Sequence, residues 1–267
     1  MRVRSEVDKA SRSMIRRLFA VWLLSYGLVA SADQTITLGS GISMPPYVIA
    51  DKDRGIAIDV FRAVMDEVDI DVQIRYAGNA KVVSDFSNKY LDAVFIANRK
   101  MAPEAYFSRL PLVVFHNKGI TPDKDDIRLA QIEDLSGYRI GAFRLASKLL
   151  PDPFAQTAAS AEDYREYVLQ DEQVQDLFRG ERQVLVMDRT IFRYYLSQLR
   201  RQNRGSLIYR QPVTYHELFP KSQYFAAFHS EALRDRFDQG FDAIRVNGRY
   251  ERILQVYESL LSGYLFQ

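Results

Sequence analysis

The apolar positions change period along the chain, and those changes lay out its elements. Residues 36 to 49, ITLGSGISMPPYVI, alternate at Ile36 and Leu38, turn at Gly39-Ser40-Gly41 and reach Tyr47 after Pro45-Pro46. A strand that breaks into a glycine and proline turn delivers its next aromatic ring to a cleft. Over residues 55 to 68 the period shifts: Val60, Phe61, Val64, Met65 and Val68 share one helical face, with Asp59, Arg62, Asp66 and Glu67 largely opposite. DVQIRY (71 to 76) alternates as a strand, 81 to 90 suit a second helix, and LDAVFI (91 to 96) is the continuous apolar run of a strand buried on both faces. Strand, helix, strand in that order predicts a parallel βαβ unit.

Pro103 and Pro111 limit residues 99 to 119 to short helical pieces ahead of a strand at 112 to 115. The charged, turn-rich stretch ITPDKDDIRLAQ (120 to 131) marks a change of region, after which the pattern restarts. IEDLSGYRIGAF gives a strand ending near Phe143, and LASKLL opens the next helix. A helix at 171 to 179, the strand QVLVM (183 to 187) and a helix at 190 to 201 follow. Strands near 207 to 209 and 224 to 228 precede two closing helices, 231 to 246 and 249 to 261. The βα pattern runs twice, so the fold class is α/β.

An apolar share of 47% with 26% charged residues is that of a folded globular protein, and 267 residues suffice for two ordinary domains. The first 32 residues read as a secretory leader: Arg16-Arg17, the thirteen-residue run LFAVWLLSYGLVA, then Ala30-Ser31-Ala32, with cleavage expected after Ala32. That run is shorter than the roughly 20 residues a membrane-spanning helix needs. The leader holds six Lys/Arg and two acids, so the formal charge of +2 gives way to 30 basic against 32 acidic residues beyond it. Without a basic excess there is no electrostatic footprint for nucleic acid.

Cysteine is absent, which excludes disulfides, thiolate catalysis, zinc-thiolate sites and iron-sulfur clusters, and also a lipid-attachment cysteine. An exported protein without a lipid anchor fits a Gram-negative periplasm. His116, His216 and His229 are scattered without metal-ligand spacing, and no nucleophile elbow, His-Glu-x-x-His or phosphate-binding loop occurs. No catalytic residue, metal or cofactor is therefore assigned.

Several pieces, in order, resemble one family: the opening strand with PPY, GIAIDVFRAVMDEV, YLDAVFIA, IEDLSGYRIGAF, QVQDLFRGERQVLVMD and VNGRYERILQVY. Together they span most of residues 36 to 262 and are similar to the periplasmic solute-binding proteins of the polar amino acid type, extracellular solute-binding family 3. The resemblance implies a two-lobed periplasmic-binding-protein-like fold of type II, with lobes joined by two crossover strands. Residues 33–116 and 218–267 are then lobe 1 and 117–217 lobe 2, with hinges near 116 to 119 and 212 to 220. It also implies a monomer that captures a small polar molecule, an amino acid or related, and delivers it to an ABC transporter permease. A sensory or adaptor protein for a membrane receptor is the alternative, and a dehydratase or lyase on the same fold a further one.

The ligand-binding candidates are Tyr47, Asn98, Arg99, Arg144, Ser147 and Asp188, each just beyond a strand, where ligands of open α/β sheets sit. The resemblance makes Tyr47 the ring that packs on the ligand, Ser147 a hydroxyl for its carboxylate and Asp188 an acid for its ammonium group. Asp188 ahead of Thr190 and Ile191 is equally a helix N-cap, and Ser147 equally a cap. The arginine that clamps the ligand carboxylate in such proteins falls here on Glu104 or Ala105, and Arg99 or Lys100 is the nearest substitute.

Overall fold

The computed structural model describes residues 34–97 and 99–262; the leader and Asn98 lie outside the described residues. The chain opens with β1 (Gln34–Ser40), then a small hairpin of β2 (Ser43–Met44) and β3 (Val48–Ile49). Helix α1 (Ile56–Asp66), β4 (Ile70–Tyr76), α2 (Asn79–Ser87), β5 (Ala93–Ala97), β6 (Tyr106–Phe107) and β7 (Val113–Phe115) follow. The chain then passes to β8 (Asn117–Pro122), β9 (Arg139–Phe143), α3 (Ala146–Leu149), α4 (Asp152–Ser160) and β10 (Asp163–Tyr167). Next come α5 (Gln170–Arg179), β11 (Val184–Asp188), α6 (Arg189–Gln202) and β12 (Val213–His216). Finally β13 (Ser222–Phe228) returns, followed by α7 (Glu231–Val246) and α8 (Arg249–Ser262).

These strands form two main sheets. The first runs β4-β1-β5-β13-β6, with β7 also paired to β13; β1 and β5 are parallel and β13 antiparallel to its neighbours β5, β6 and β7. The second runs β10-β9-β11-β8-β12, with β9 parallel to β10 and β11, and β8 antiparallel to β11 and β12. The chain changes sheets between Phe115 and Asn117 and returns between His216 and Ser222, which makes two lobes joined by two crossings.

Several elements differ from the sequence reading, among them β6, where the sequence predicts short helical pieces, and β12, which lies in the expected hinge segment. Ile120 to Pro122 complete β8, every residue of which is buried, because β11 and β12 pair with it on either side. Pairing on both edges is a tertiary fact that the polarity of the residues does not carry. DYREY is the edge strand β10, half exposed along its length. The expected strand near Leu207 is a 3-10 turn, Ile208–Arg210, whose Tyr209 ring packs edge-on against Phe178 at 5.6 Å.

Helix α1 buries the face its period announced: Phe61, Val64 and Met65 are sealed, and the Phe61 ring lies 5.1 Å from Phe237 and 6.2 Å from Phe228. Helix α7 crosses α1 at Gly240, where an added Cβ would run into the Val64 carbonyl oxygen. The same apolar core continues from Ile36, Phe61 and Phe228 in the first lobe to Leu177, Met187 and Phe192 in the second. The two sheets therefore share one core, with a second cluster around Leu135, Ile140 and Phe154 in the second lobe.

Candidate functional site

The hairpin and α1 fix Tyr47. Its amide closes a turn onto the Met44 carbonyl at 2.9 Å, and its own carbonyl receives the Ala57 amide at 3.0 Å as the helix begins. Gly55 permits this approach: its φ is 138°, and any Cβ would strike the Tyr47 carbonyl. The ring is 6% exposed and stands edge-on to Phe115 at 5.0 Å, which in turn meets Tyr224 at 5.2 Å.

Asp188 ends the fully buried strand β11 and caps α6. Its Oδ1 accepts the Thr190 and Ile191 amides at 2.9 and 3.0 Å, and Oδ2 accepts the His116 amide at 2.7 Å. The Tyr47 hydroxyl, from the first lobe, donates to Oδ1 at 3.3 Å. A hairpin-turn ring of one lobe and a strand-end acid of the other thus meet where the chain crosses between them. Burial raises the Asp188 carboxyl above its ordinary value despite the amides of His116, Ile191 and Thr190. Burial, with the Asp188 charge behind it, raises the Tyr47 phenol as well, so it stays a donor.

The edge of the second sheet carries another carboxylate. Val186 pairs with Ala142 and Ala142 with Glu166, so β10, β9 and β11 end together, and Arg144 to Ser147 and Glu166 share the edge with Asp188. Glu166 Oε1 accepts the Ser147 amide at 3.0 Å, the Ser147 hydroxyl at 2.8 Å and the Tyr164 hydroxyl at 2.8 Å. Oε2 accepts the Leu145 amide at 2.7 Å. Burial works to raise this carboxyl, but the Ser147, Tyr164 and Leu145 donors together hold it below the usual carboxylate range.

Beside the crossings, the buried Lys118 ammonium meets His116 Nε2 at 2.7 Å and the Glu217 carboxylate, and His116 Nε2 lies 2.9 Å from Glu217. That cluster ties the start of β8 to the end of β12.

Solved structures share this fold. An amino acid ABC transporter substrate-binding protein of Streptococcus pneumoniae bound to L-arginine superposes with a TM-score of 0.60 at 13% identity, covering 85% of this chain and 95% of that one. The fold is that of the periplasmic binding proteins. A histidine kinase sensor domain similar to periplasmic binding proteins matches at TM-score 0.62 and 19% identity, over 84% of this chain and 95% of that one. An ancestral amino acid-binding protein, a precursor of cyclohexadienyl dehydratase, matches at 0.62 and 14%, over 84% and 94%. No family model and no curated protein sequence matches the chain.

Within this binding-protein fold the candidates from the sequence divide. Tyr47 and Asp188 come together; Ser147 lies on the same edge, with its hydroxyl engaged by Glu166. Arg144 is exposed beside it. Arg99 is exposed in the first lobe with its guanidinium 5.0 Å from the Phe107 ring centre, and Asn98 is outside the described residues. Glu104, where a clamping arginine is expected, is itself exposed. Glu166 and Tyr164 were absent from the sequence reading, although DYREY alternates and so sets both on one face.

A cavity of about 440 Å³ lies elsewhere, at the end of β8 and β12 away from Asp188, bounded by Thr121, Asp123, Asp134, Thr214 and His216. Its polar walls are spoken for: His216 Nε2 is 2.9 Å from the Thr121 hydroxyl, Thr214 bonds Asp123, and Asp134 takes the Ala130 and Gln131 amides. Among the described residues no cluster of His, Asp or Glu is arranged to hold a metal ion, and no helix is long and apolar enough to cross a membrane.

Proposed function

We propose that this chain is a periplasmic solute-binding protein of the polar amino acid type, which takes a small polar molecule between its lobes and delivers it to an ABC transporter permease. The observation that carries the reading is the contact of Tyr47 with Asp188, one residue from each lobe, at the crossings where a ligand of this fold is held. The likeness to a transporter substrate-binding protein supports delivery to a permease. In this reading residues 33–116 and 218–267 form lobe 1 and residues 117–217 lobe 2, and the crossings absorb a closing rotation. The binding role, rather than turnover of a substrate, rests on the site: its acid is fixed in place by the helix cap and by Tyr47.

A thermal-shift screen of amino acids, small organic acids and amines on the purified protein tests the proposal. A ligand at a hundred times its Kd adds about 2.7 kcal/mol to the native state, which raises Tm by several degrees. Tyr47→Ala is expected to abolish the shift; if no compound shifts the wild-type protein, the binding reading fails. Small-angle scattering with and without the active compound reads the closing rotation, and an unchanged radius argues against a hinge.

The likeness to a kinase sensor domain favours a second reading, in which the same lobes report their occupancy to a membrane receptor. Both readings need the same cleft. Binding of the loaded protein to permease-containing membranes, measured against membranes without the permease, separates them.

A further inference from the structure

We infer that Glu166 determines the specificity of the interlobe site, directing it toward ligands recognised by a cationic amine or guanidinium group and away from ligands recognised by a carboxylate. The inference rests on the binding reading above and deepens it.

Four donors converge on one side chain. The Leu145 amide, the Ser147 amide, the Ser147 hydroxyl and the Tyr164 hydroxyl all end on the Glu166 carboxylate, at 2.7 to 3.0 Å. Such a set is what a ligand carboxylate needs, and charge-assisted bonds of this length are the strong ones. Here the chain supplies the carboxylate itself. Leu145 adopts the left-handed region, φ 65°, so the turn is held in a conformation uncommon for a non-glycine residue while its amide faces Glu166. Tyr164 and Glu166 alternate onto the same face of β10, which carries donor and acceptor together.

What remains on the edge is acceptor capacity. A carboxylate offers about four lone-pair positions. Glu166 Oε1 takes three donors, whereas Oε2 takes one and keeps a lone pair open. Asp188, two strands along at a spacing of about 10 Å, repeats the pattern, with three donors on Oδ1 and one on Oδ2. Both carboxylates are anchored by neutral donors, so neither charge is neutralised by a salt bridge in these contacts. Arg144 and Lys148 beside Glu166 are exposed, where water screens them and no fork geometry is imposed, and Arg189 beside Asp188 is exposed with its guanidinium over the Tyr215 ring at 5.3 Å. Arg99 stays over Phe107. The second-lobe edge therefore presents negative charge and open acceptors, the complement of an ammonium or guanidinium group.

Two measurements test this. The first needs no ligand: Glu166→Ala leaves the four donors without a partner, and its Tm is expected to fall and then recover by about 2–4 °C on adding millimolar acetate. Wild type should not respond to acetate. Acetate stabilising both proteins equally, or neither, overturns the assignment of the donor set. The second compares arginine with agmatine, the same guanidinium without the carboxylate, by titration calorimetry. Wild type is expected to bind agmatine at least as tightly as arginine, and Glu166→Gln to lose about tenfold for agmatine. A wild-type preference of about tenfold or more for arginine, no binding of either cation, or a Glu166→Gln variant that binds agmatine like wild type overturns the specificity. Failure of the whole solute screen removes the binding function itself, and the acetate measurement distinguishes that outcome because it reads Glu166 directly.

Discussion

Asp188 and Glu166 stand on the same edge, and their carboxyls are shifted in opposite directions from the ordinary value. Burial raises Asp188, so its contribution favours the folded state below the unfolded carboxyl value and is lost as pH rises through the folded one. Glu166 is lowered by its donors, so its contribution is present above the unfolded value and is lost as pH falls through the folded one. Relative to Asp188→Asn, wild-type stability is therefore expected to decline as pH rises from about 4. Relative to Glu166→Gln it is expected to decline as pH falls below about 4. Urea unfolding of the three proteins between pH 3 and 7 measures both slopes, and parallel profiles would contradict the assignments. Asn at 188 keeps the helix cap, whereas Asp188→Ala should cost about 1–2 kcal/mol from the cap alone because the Thr190 and Ile191 amides lose their acceptor.

At the scale of elements, the helices were legible and several strands were not. Period 3.6 along residues 55 to 68 marks α1 because one buried face suffices to show it, and Phe61, Val64 and Met65 are that face. β10 escaped because DYREY has no aliphatic residue and sets charged side chains between its two tyrosines, and β8 because its burial comes from pairing with β11 and β12. The α1–α7 crossing supplies a sharp test. Gly240→Ala raises helix propensity by about 1 kcal/mol, yet its methyl group meets the Val64 carbonyl. Overpacking of this kind costs about 1–3 kcal/mol, so a net loss of stability in urea unfolding is expected. Phe61→Ala, which empties a sealed site between Phe228 and Phe237, should cost about 3–5 kcal/mol in the same measurement.

At the scale of the molecule, the seam between lobes is held more by packing than by charge. Arg193 of α6 grips Glu258 of α8 with bonds of 2.5 and 2.9 Å, but Glu258 is 60% exposed. Exposed pairs contribute about 0.2–1 kcal/mol, so Glu258→Ala should change stability by less than that upper figure and lose even this in high salt. The core that runs through Met187, Phe192 and Phe228 carries the larger share, and Phe192→Ala should cost several times more than Glu258→Ala. Comparable costs for the two variants in urea unfolding would contradict this ranking.

The sequence by itself determined the α/β class and the repeated βα order, and it singled out Tyr47, past a glycine and proline turn, and Asp188, at the end of a strand. Those follow from periodicity and turn chemistry, which are local. The tertiary structure decided what these residues touch. Tyr47 and Asp188 lie 141 residues apart, so only the folding of the two lobes onto a shared core sets the hydroxyl against the carboxylate. Ser147 and Glu166 are 19 apart and meet because β9 and β10 lie side by side in parallel register. The sequence supplied the donors and the acids, and the pairing of strands determined which of them are already engaged.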